Sequence, residues 1–203
     1  MKIICVGRNY ADHARELNNP VNEEPVIFLK PETALLQKRQ PFFMPDFSNE
    51  IHHEIELVVK INRLGKNIET QFAHKYYEEI GLGIDFTARD LQTKLKSKGL
   101  PWELAKSFDG SAPVGEFVSK KVLDNPEKIM FSLKKNGEIV QAGSSADMIF
   151  SIDQIISFVS AFFTLKKGDL IFTGTPAGVG PVSKGDTLEG FIEEKKMILV
   201  KIR

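Results

Sequence analysis

The sequence contains one cysteine among 203 residues, and this scarcity excludes whole classes of protein. Cys5 on its own cannot form an internal disulfide, and no cysteine-based metal site can be built from a single thiol. Its place in the apolar stretch IICVG predicts a buried side chain. Nothing in the cysteine content therefore points to an oxidising compartment.

An excess of charge of either sign is also absent, because 27 lysines and arginines balance 27 aspartates and glutamates. This balance removes the electrostatic argument for binding nucleic acid or a membrane surface. The longest apolar runs are too short to span a bilayer, so we expect no membrane segment. A strand-like pattern starts at the N-terminus, which predicts no targeting peptide and a cytoplasmic location.

No internal repeat, low-complexity tract or long linker divides the chain, which predicts a single domain over residues 1–203. Asn136 and Gly137 predict a two-residue hairpin turn. Alternating or continuous apolar stretches typical of strands dominate the sequence: KIICV, PVIFLK, IELVVKI, IGLGIDF, IMFSLKKNG with EIVQAG, DLIFTG and the closing TLEGFIEEKKMILVKI.

Fewer stretches have helical periodicity. SIDQIISFVSAFF opens with Ser151 and Gln154 in the spacing of a capping box, and the amphipathic TARDLQTKLKSKG stops at Gly99 ahead of Pro101. YADHARELN and TQFAHKYYEEI are further helix candidates. Many strands with a few inserted helices predict a β-rich α+β fold built on a sandwich or rolled sheet.

The stretch IHHEIELVVKI carries Glu54 and Glu56 one residue apart in a strand pattern, so both carboxylates should share one face. A hard divalent cation such as Mg²⁺ or Mn²⁺ would relieve their repulsion, and Asp85 at the end of GLGID supplies a third oxygen ligand. On motif grounds alone, a solvated strand face is the competing interpretation. His52 and His53 are expected to be structural or to hydrogen-bond a ligand rather than to bind the ion.

A second group lies in GRNYADHARE, where His13 and Glu16 are three residues apart on one face of a short helix. A carboxylate bonded to one imidazole nitrogen fixes the tautomer and leaves the other nitrogen free to act as a base. The alternative is an exposed helix with an incidental pair.

Two further stretches carry groups suited to anions. Arg89 and Gln92 share a helix face and Lys106 follows, which would suit a carboxylate substrate and developing negative charge, although surface cations are the alternative. The loop FTGTPAGVG places Thr173 and Thr175 among glycines, where N–H groups and a hydroxyl can bind an oxyanion. A plain tight turn is the competing interpretation there.

Together these stretches resemble the fumarylacetoacetate hydrolase family, and most closely its short acylpyruvase and oxaloacetate decarboxylase branch. The resemblance runs from about Lys2 to the C-terminus in unbroken order. The stretches that carry it are VGRNYADH, FLKP, HHEIEL, DFTARDLQ, KGLPWELAKSFD, MIFSIDQIISFVS and GDLIFTGTPAGVGPV.

The resemblance implies a mixed β-sandwich roll, a homodimer and a Mg²⁺ or Mn²⁺ ion held by Glu54, Glu56 and Asp85. It implies that His13 and Glu16 form a catalytic pair on a segment that closes over the substrate, assisted by Lys106. The residues that the resemblance assigns to the substrate pocket are Arg8, Arg89, Gln92 and Thr175.

These expectations support an enzyme that hydrolyses the C–C bond of acylpyruvates, releasing pyruvate and a carboxylic acid. Oxaloacetate decarboxylation would give the same pyruvate enolate, and the same site could support keto–enol tautomerisation. The alternative enzyme is a 2-hydroxyhepta-2,4-diene-1,7-dioate isomerase or 5-oxopent-3-ene-1,2,5-tricarboxylate decarboxylase of aromatic catabolism. An oxoacid-binding domain with vestigial chemistry is the alternative outside enzymology, and it would not need His13, Glu16 and Lys106.

Overall fold

The computed structural model describes residues 1–11, 23–37, 40–123, 125 and 128–203. The strands within these residues are β1 (Ile3–Gly7), β2 (Val26–Lys30), β3 (Leu35–Leu36), β4 (Ile51–His53), β5 (Ile55–Ile61), β6 (Tyr77–Ile84), β7 (Thr87–Ala88), β8 (Ala112–Ser119), β9 (Met130–Lys135), β10 (Glu138–Ser144), β11 (Leu170–Phe172), β12 (Gly180–Pro181), β13 (Thr187–Ile192) and β14 (Lys195–Lys201). The α-helices are α1 (Thr70–Ala73), α2 (Arg89–Ser97), α3 (Glu103–Lys106) and α4 (Ile152–Phe162), and short 3₁₀ turns cover Glu32–Ala34, Lys120–Val122 and Ser145–Asp147.

The largest sheet has seven strands in the order β2-β1-β11-β5-β6-β8-β3. It is mixed, because β1 pairs with β11 and β3 with β8 in parallel, whereas the other neighbours are antiparallel. Its central strand β5 is buried along almost its whole length, so both faces of the sheet are covered there. Of the candidate metal ligands, Glu56 lies in this central strand, Glu54 directly precedes it and Asp85 directly follows its neighbour β6.

A four-stranded antiparallel sheet, in the order β10-β9-β13-β14, packs against the large sheet. Gly190 shows how closely they approach, because a Cβ atom at this position would lie 3.1 Å from Ile55 Cδ1 and 3.2 Å from Leu82 Cδ1. A small third sheet, β12-β4-β7, adjoins the segment that carries Glu54 and Glu56, and α4 packs on the same continuous apolar core. The β-rich α+β fold with rolled sheets is thus confirmed.

Local predictions are confirmed where side chains dictate the backbone. Ser151 Oγ accepts from the N–H of Gln154 at 3.3 Å, and Gln154 Oε1 accepts from the N–H of Ser151 at 2.9 Å, which is the expected capping box. Asn136 and Gly137 both have positive φ, at 54° and 88°, as the hairpin requires. Helix α2 ends before Gly99, whose φ is +63°.

Three expectations need correction. TQFAHKYYEEI is helical only over Thr70–Ala73, and strand β6 begins at Tyr77, where pairing with β5 overrides the helical pattern. The closing stretch is two strands joined by a turn at Glu193 rather than one. Strand β8 was not predicted, because Pro113 and Gly115 break the strand pattern while β6 supplies the pairing. No helix in the described part of the chain is both long and apolar enough to cross a membrane.

Candidate active site

Three buried carboxylates converge where β5 pairs with β6. Glu54 lies between β4 and β5, Glu56 is in β5, and Asp85 directly follows β6. The antiparallel register aligns Ile55 with Ile84, and the N–H of Asp85 donates to the carbonyl of Glu54 at 2.8 Å. One oxygen of each carboxylate lies within 4.8 Å of the others, and the three residues are only 5%, 2% and 1% exposed. The solvated-face interpretation is therefore wrong.

Asp85 lies between two buried lysines. Lys30, at the end of β2, has its Nζ 2.7 Å from Asp85 Oδ1, and Lys106, at the end of α3, donates to Asp85 Oδ2 at 2.8 Å. Lys30 also donates to the Oγ of Ser111 at 2.9 Å and to the carbonyl of Lys106. This set of bonds fixes the position of Asp85 from both sides.

Lys106 uses all three of its ammonium donors inside the protein. It donates to Glu54 Oε2 at 2.7 Å, to Asp85 Oδ2 at 2.8 Å and to Thr87 Oγ1 at 2.6 Å. Burial on its own would lower the pKa of Lys106, but Asp85 and Glu54 outweigh burial and raise the pKa above its usual value. The ammonium therefore stays charged near neutral pH, although a direct bond to substrate would require one internal bond to be exchanged.

Arg89 opens α2 and binds the other oxygen of Glu54, with Nη2 2.6 Å from Oε1. Its Nη1 donates to Gln92 Oε1 at 2.7 Å, one turn along the helix. These two bonds use only some of the five N–H donors of the guanidinium group. Gln92 takes part through its amide oxygen, so its NH₂ group is not involved in the bond to Arg89. Both side chains line the same pocket as the carboxylates, as the sequence predicted.

Glu56 has a different environment, because no lysine or arginine of the described residues lies within ion-pairing distance of it. Its Oε2 accepts from the N–H of Gly174 at 2.7 Å. Gly174 has φ +97°, and a Cβ there would lie 2.7 Å from the Cβ of Asn9, so only glycine fits. Burial, followed by the charges of Asp85 and Glu54, raises the pKa of Glu56, and the Gly174 bond offsets this only in part.

The hydroxyl of Thr175 is committed to the protein. It donates to the carbonyl of Ile55 at 2.8 Å and accepts from Gln141 Nε2 at 2.9 Å. Thr173 likewise donates its hydroxyl to the carbonyl of Leu57 at 3.0 Å. Both hydroxyl groups of this loop therefore donate to backbone carbonyls of β5. Thr175 can donate to an oxyanion only through its backbone N–H.

Gln141, from β10, connects this loop to the segment that carries Glu54 and Glu56. Its Oε1 accepts from the N–H of Ile55 at 3.0 Å and lies 2.9 Å from His53 Nδ1, so His53 carries its proton on Nδ1. Burial, the largest influence, lowers the pKa of His53, which keeps the ring neutral. His53 is thus structural, as expected, while His52 Nε2 lies 2.9 Å from Glu50 Oε1 near the surface.

A pocket opens above the carboxylates, with a volume of about 40 Å³. This volume exceeds the about 10–15 Å³ that one water requires. Beyond the residues already described, its walls are Val6, Gly7, Arg8, Phe28, Lys96 and Trp102. The pocket therefore has a buried anionic end and a more exposed end that carries cations and an indole ring.

The structure brings together eight predicted site residues around this pocket: Arg8, Glu54, Glu56, Asp85, Arg89, Gln92, Lys106 and Thr175. His13 and Glu16, the predicted catalytic pair, lie outside the described residues. The sequence reasoning missed Lys30, Gln141, Lys96 and Trp102. A lysine that ends the apolar stretch PVIFLK is a usable signal of a buried ion pair, whereas Gln141 had no local signal because its partners are distant in sequence.

Comparison with known proteins supports the family that the sequence resembles. The model of the family described as "Fumarylacetoacetate (FAA) hydrolase C-terminal" matches residues 2–201. The mouse protein named "Oxaloacetate tautomerase FAHD1, mitochondrial" is 47% identical over 201 residues, covering 99% of this chain and 91% of its own length. The chain therefore belongs to the fumarylacetoacetate hydrolase family.

Solved structures agree with this assignment. The fumarylpyruvate hydrolase of Pseudomonas aeruginosa, solved with Mn²⁺ and pyruvate, has a TM-score of 0.93 and 37% identity, covering 100% of this chain and 89% of its own. The 2-hydroxyhepta-2,4-diene-1,7-dioate isomerase of Mycobacterium marinum has a TM-score of 0.86 and 35% identity, covering 99% and 73%. The chain is an enzyme of this family, and the comparisons support metal dependence.

The residues present fit a hard divalent cation. Carboxylate oxygens are the ligands that Mg²⁺ and Mn²⁺ prefer, and three of them converge in a buried site. Burying an unpaired carboxylate is costly, and Glu56 is buried without a cationic partner among the described residues. A divalent ion held by Glu54, Glu56 and Asp85 would remove that cost.

Proposed function

We propose that this protein catalyses keto–enol interconversion of oxaloacetate through an enolate stabilised in this pocket. The observation that carries the proposal is the group of three buried carboxylates, Glu54, Glu56 and Asp85, beside Lys106, whose pKa is raised. The mouse relative is named an oxaloacetate tautomerase, which supports the choice of substrate. Enolisation needs a proton removed next to a ketone and a site that accepts the resulting negative charge.

Glu54, Glu56 and Asp85 would hold Mg²⁺ or Mn²⁺, which when bound supplies Lewis-acid polarisation of a 2-oxo oxygen. Arg89 is held by Glu54 and Gln92 in a fixed orientation, and its remaining guanidinium donors suit a carboxylate. The amide group of Gln92 adds a neutral donor. These side chains bind and orient the substrate.

Lys106 contributes mainly through its charge, since its three donors are already used. The low-dielectric surroundings strengthen its attraction to negative charge that develops on the substrate. We assign the proton transfer to His13, oriented by Glu16, as the sequence predicts. Their role is the part of the proposal that rests on sequence alone.

Acylpyruvate hydrolysis is the second candidate, and the Pseudomonas aeruginosa fumarylpyruvate hydrolase, solved with pyruvate, favours it. Water activated by His13 would attack the distal carbonyl, and the C3–C4 bond would break to leave a pyruvate enolate and a carboxylic acid. Protonation of the enolate gives pyruvate. Loss of carbon dioxide from oxaloacetate would yield the same enolate, so decarboxylation is a related side activity.

The isomerase reaction differs from both in conserving the mass of the substrate. The Mycobacterium marinum isomerase shows that this activity occurs among proteins of similar fold. We rank it last for this chain because the mouse tautomerase shares more sequence, at 47% against 35% identity. Product identification separates the three reactions.

The decisive experiment incubates the purified protein with Mg²⁺ or Mn²⁺ and with oxaloacetate, acetylpyruvate or fumarylpyruvate, and follows products by NMR. We expect rapid exchange of the oxaloacetate keto and enol forms, which EDTA abolishes. Pyruvate plus acetate from acetylpyruvate as the dominant activity would favour the hydrolase instead. No metal-dependent reaction with any of the three would contradict the proposal.

The base assignment has its own test. His13→Ala should slow enolisation by roughly 10²-fold or more, the usual contribution of a general base. Its Mg²⁺ affinity should be unchanged, because His13 is not among the proposed ligands. A wild-type rate in this variant would show that another group moves the proton.

We also propose a homodimer and a cytoplasmic location. Light scattering of the purified protein measures the first directly. The mouse relative is named as a mitochondrial protein, so the cytoplasmic location is tested by imaging or fractionation in the source cell.

A further inference from the structure

The outer end of the pocket holds two cations beside one aromatic ring. Arg8 Cζ lies 5.9 Å and Lys96 Nζ 5.8 Å from the centroid of the Trp102 ring. Arg8 follows β1, Lys96 comes from the last turn of α2, and Trp102 precedes α3, so three separate segments supply this cluster. All three residues line the pocket that contains the carboxylates.

Neither outer cation is neutralised by a carboxylate of the described residues. Arg89 and Lys106 are paired with Glu54 or Asp85, but no carboxylate of the described residues lies within ion-pairing distance of Arg8 or Lys96. Burial lowers the pKa of Lys96, the positive charges of Arg8, Arg89 and Lys106 lower it further, and Glu54 raises it to a smaller extent. An anion placed here would meet positive charge that no described carboxylate neutralises.

The backbone at Arg8 also indicates a site rather than an incidental surface cation. Arg8 has φ of 59°, a left-handed conformation that is unfavourable for a side chain of this kind. The adjoining Gly7 lies against the indole, since a Cβ there would be 3.7 Å from Trp102 Cζ3. Strain of this kind persists where the surrounding structure requires it, commonly at ligand sites.

The charge of the whole pocket favours a doubly charged substrate. Four cationic side chains line it, namely Arg8, Arg89, Lys96 and Lys106, against the three carboxylates. A divalent ion would add two further positive charges, so the described lining carries an excess that a dianion offsets better than a monoanion. The excess is concentrated at the outer end, away from the carboxylates.

We propose that Arg8 and Lys96, beside the indole of Trp102, form the binding site for the second carboxylate of a dicarboxylic 2-oxo acid. This inference rests on the proposed function, in which the first carboxylate and the 2-oxo group bind at the inner end. Lys96 is thereby a specificity-determining residue that favours dicarboxylic 2-oxo acids over substrates with an uncharged acyl end.

The test compares two acids with the same carbon chain, 2-oxoglutarate and 2-oxopentanoate, which differ only in the second carboxylate. Their affinities for the Mg²⁺-loaded protein are measured by calorimetry in wild type, Lys96→Met and Lys94→Met. Lys94 is the matched control, because it lies on the same helix, is exposed and is not part of the pocket lining.

We expect Lys96→Met to weaken 2-oxoglutarate binding about tenfold, the loss typical of one charge-assisted contact, and to leave 2-oxopentanoate within about twofold. Lys94→Met should change neither affinity beyond that margin. In turnover, Lys96→Met should raise KM for oxaloacetate with little change in kcat, and Lys96→Arg should restore most of the loss. Equal changes for both acids in Lys96→Met, or no change for either, would overturn the subsite.

The outcome also separates this inference from the proposed function. If the acids bind and differ as expected but oxaloacetate is not enolised, the subsite stands and the assigned reaction is wrong. If oxaloacetate is enolised and Lys96→Met changes the affinities for both acids equally, the proposed reaction is supported and the subsite is wrong. Failure of both acids to bind the metal-loaded wild type would overturn the subsite.

Discussion

The two ends of the pocket differ in the burial and the ion pairing of their charged side chains. At the inner end, Glu54 and Asp85 are buried and paired with lysine or arginine, and their positions are fixed by neighbouring strands. At the outer end, Arg8 and Lys96 are more exposed and have no such partner among the described residues. A fixed inner end suits chemistry shared by a family, whereas an uncompensated outer end can select different substrates without disturbing it.

This division explains how one fold can serve several reactions. The relatives compared above carry the names of a tautomerase, a hydrolase and an isomerase, yet they share the fold and much of the sequence. Function in such cases depends on the site rather than on the fold. The inner end would supply the common stabilisation of an enolate, and the outer end would supply the distinction among acids.

The largest effect should come from Glu56→Gln, which removes a proposed ligand without breaking an ion pair. We expect metal-dependent turnover to fall by at least about 10³-fold, since Lewis-acid stabilisation supplies several kcal/mol. Mg²⁺ at a hundredfold excess over its Kd should stabilise the wild type by about 2.7 kcal/mol and the variant far less. Thermal unfolding with and without Mg²⁺ measures this, with the exposed hairpin variant Glu138→Gln as control.

Without metal, the effect of Glu56→Gln on the free energy of unfolding should have the opposite sign, so that the variant is more stable than the wild type at neutral pH. Because burial and the charges of Asp85 and Glu54 raise the pKa of Glu56, its charged form is disfavoured in the folded state. The metal-free wild type should therefore lose stability as pH rises from the usual carboxyl pKa through the raised one, and Glu56→Gln should lack this loss. A metal-free variant less stable than wild type at neutral pH would contradict this account of Glu56.

The next effect should come from Lys30→Met, which breaks a buried ion pair at the inner end. Removing one partner of such a pair typically costs about 3–5 kcal/mol, and here it would also release Asp85 from one of its two lysines. The matched control is Lys60→Met, whose pair with Glu79 is roughly 40% exposed on each side chain and should cost less than about 1 kcal/mol. Chemical denaturation measures the free energy of unfolding of both variants. Similar losses of stability would contradict the expected difference between the buried and the surface ion pair.

The sequence predicted the inner end better than the outer one, and the reason is geometric. Glu54 and Glu56 are two residues apart at the start of β5, and Asp85 follows the apolar stretch GLGI. This spacing allowed a carboxylate site, and the family resemblance favoured that site over a solvated strand face. Lys30 reaches the site from β2, and its contact with Asp85 follows from the arrangement of distant segments, which no local pattern encodes.

Lys106 shows a second limit of sequence reasoning. Its presence at the site was predicted, but its commitment to Glu54, Asp85 and Thr87 was not, because a lysine near acidic residues fits either a substrate or an ion-pair role. Lys96 was overlooked for a similar reason, since a charged residue on the exposed side of an amphipathic helix looks like ordinary surface. Trp102 becomes informative only once two cations are seen beside it.

The smallest effect should come from Arg8→Gly at the outer end, where function and stability are expected to oppose each other. Glycine tolerates the φ of 59°, so relief of strain, less the entropy that glycine loses, should stabilise the fold by up to about 1 kcal/mol. Binding of 2-oxoglutarate should weaken at the same time. Asn136→Gly is the matched control, because asparagine already tolerates its similar φ of 54° and little gain is expected. A clear loss of stability in Arg8→Gly would mean that the arginine side chain makes stabilising contacts within the protein. That result would contradict the proposal that Arg8 is left uncompensated in order to bind a ligand.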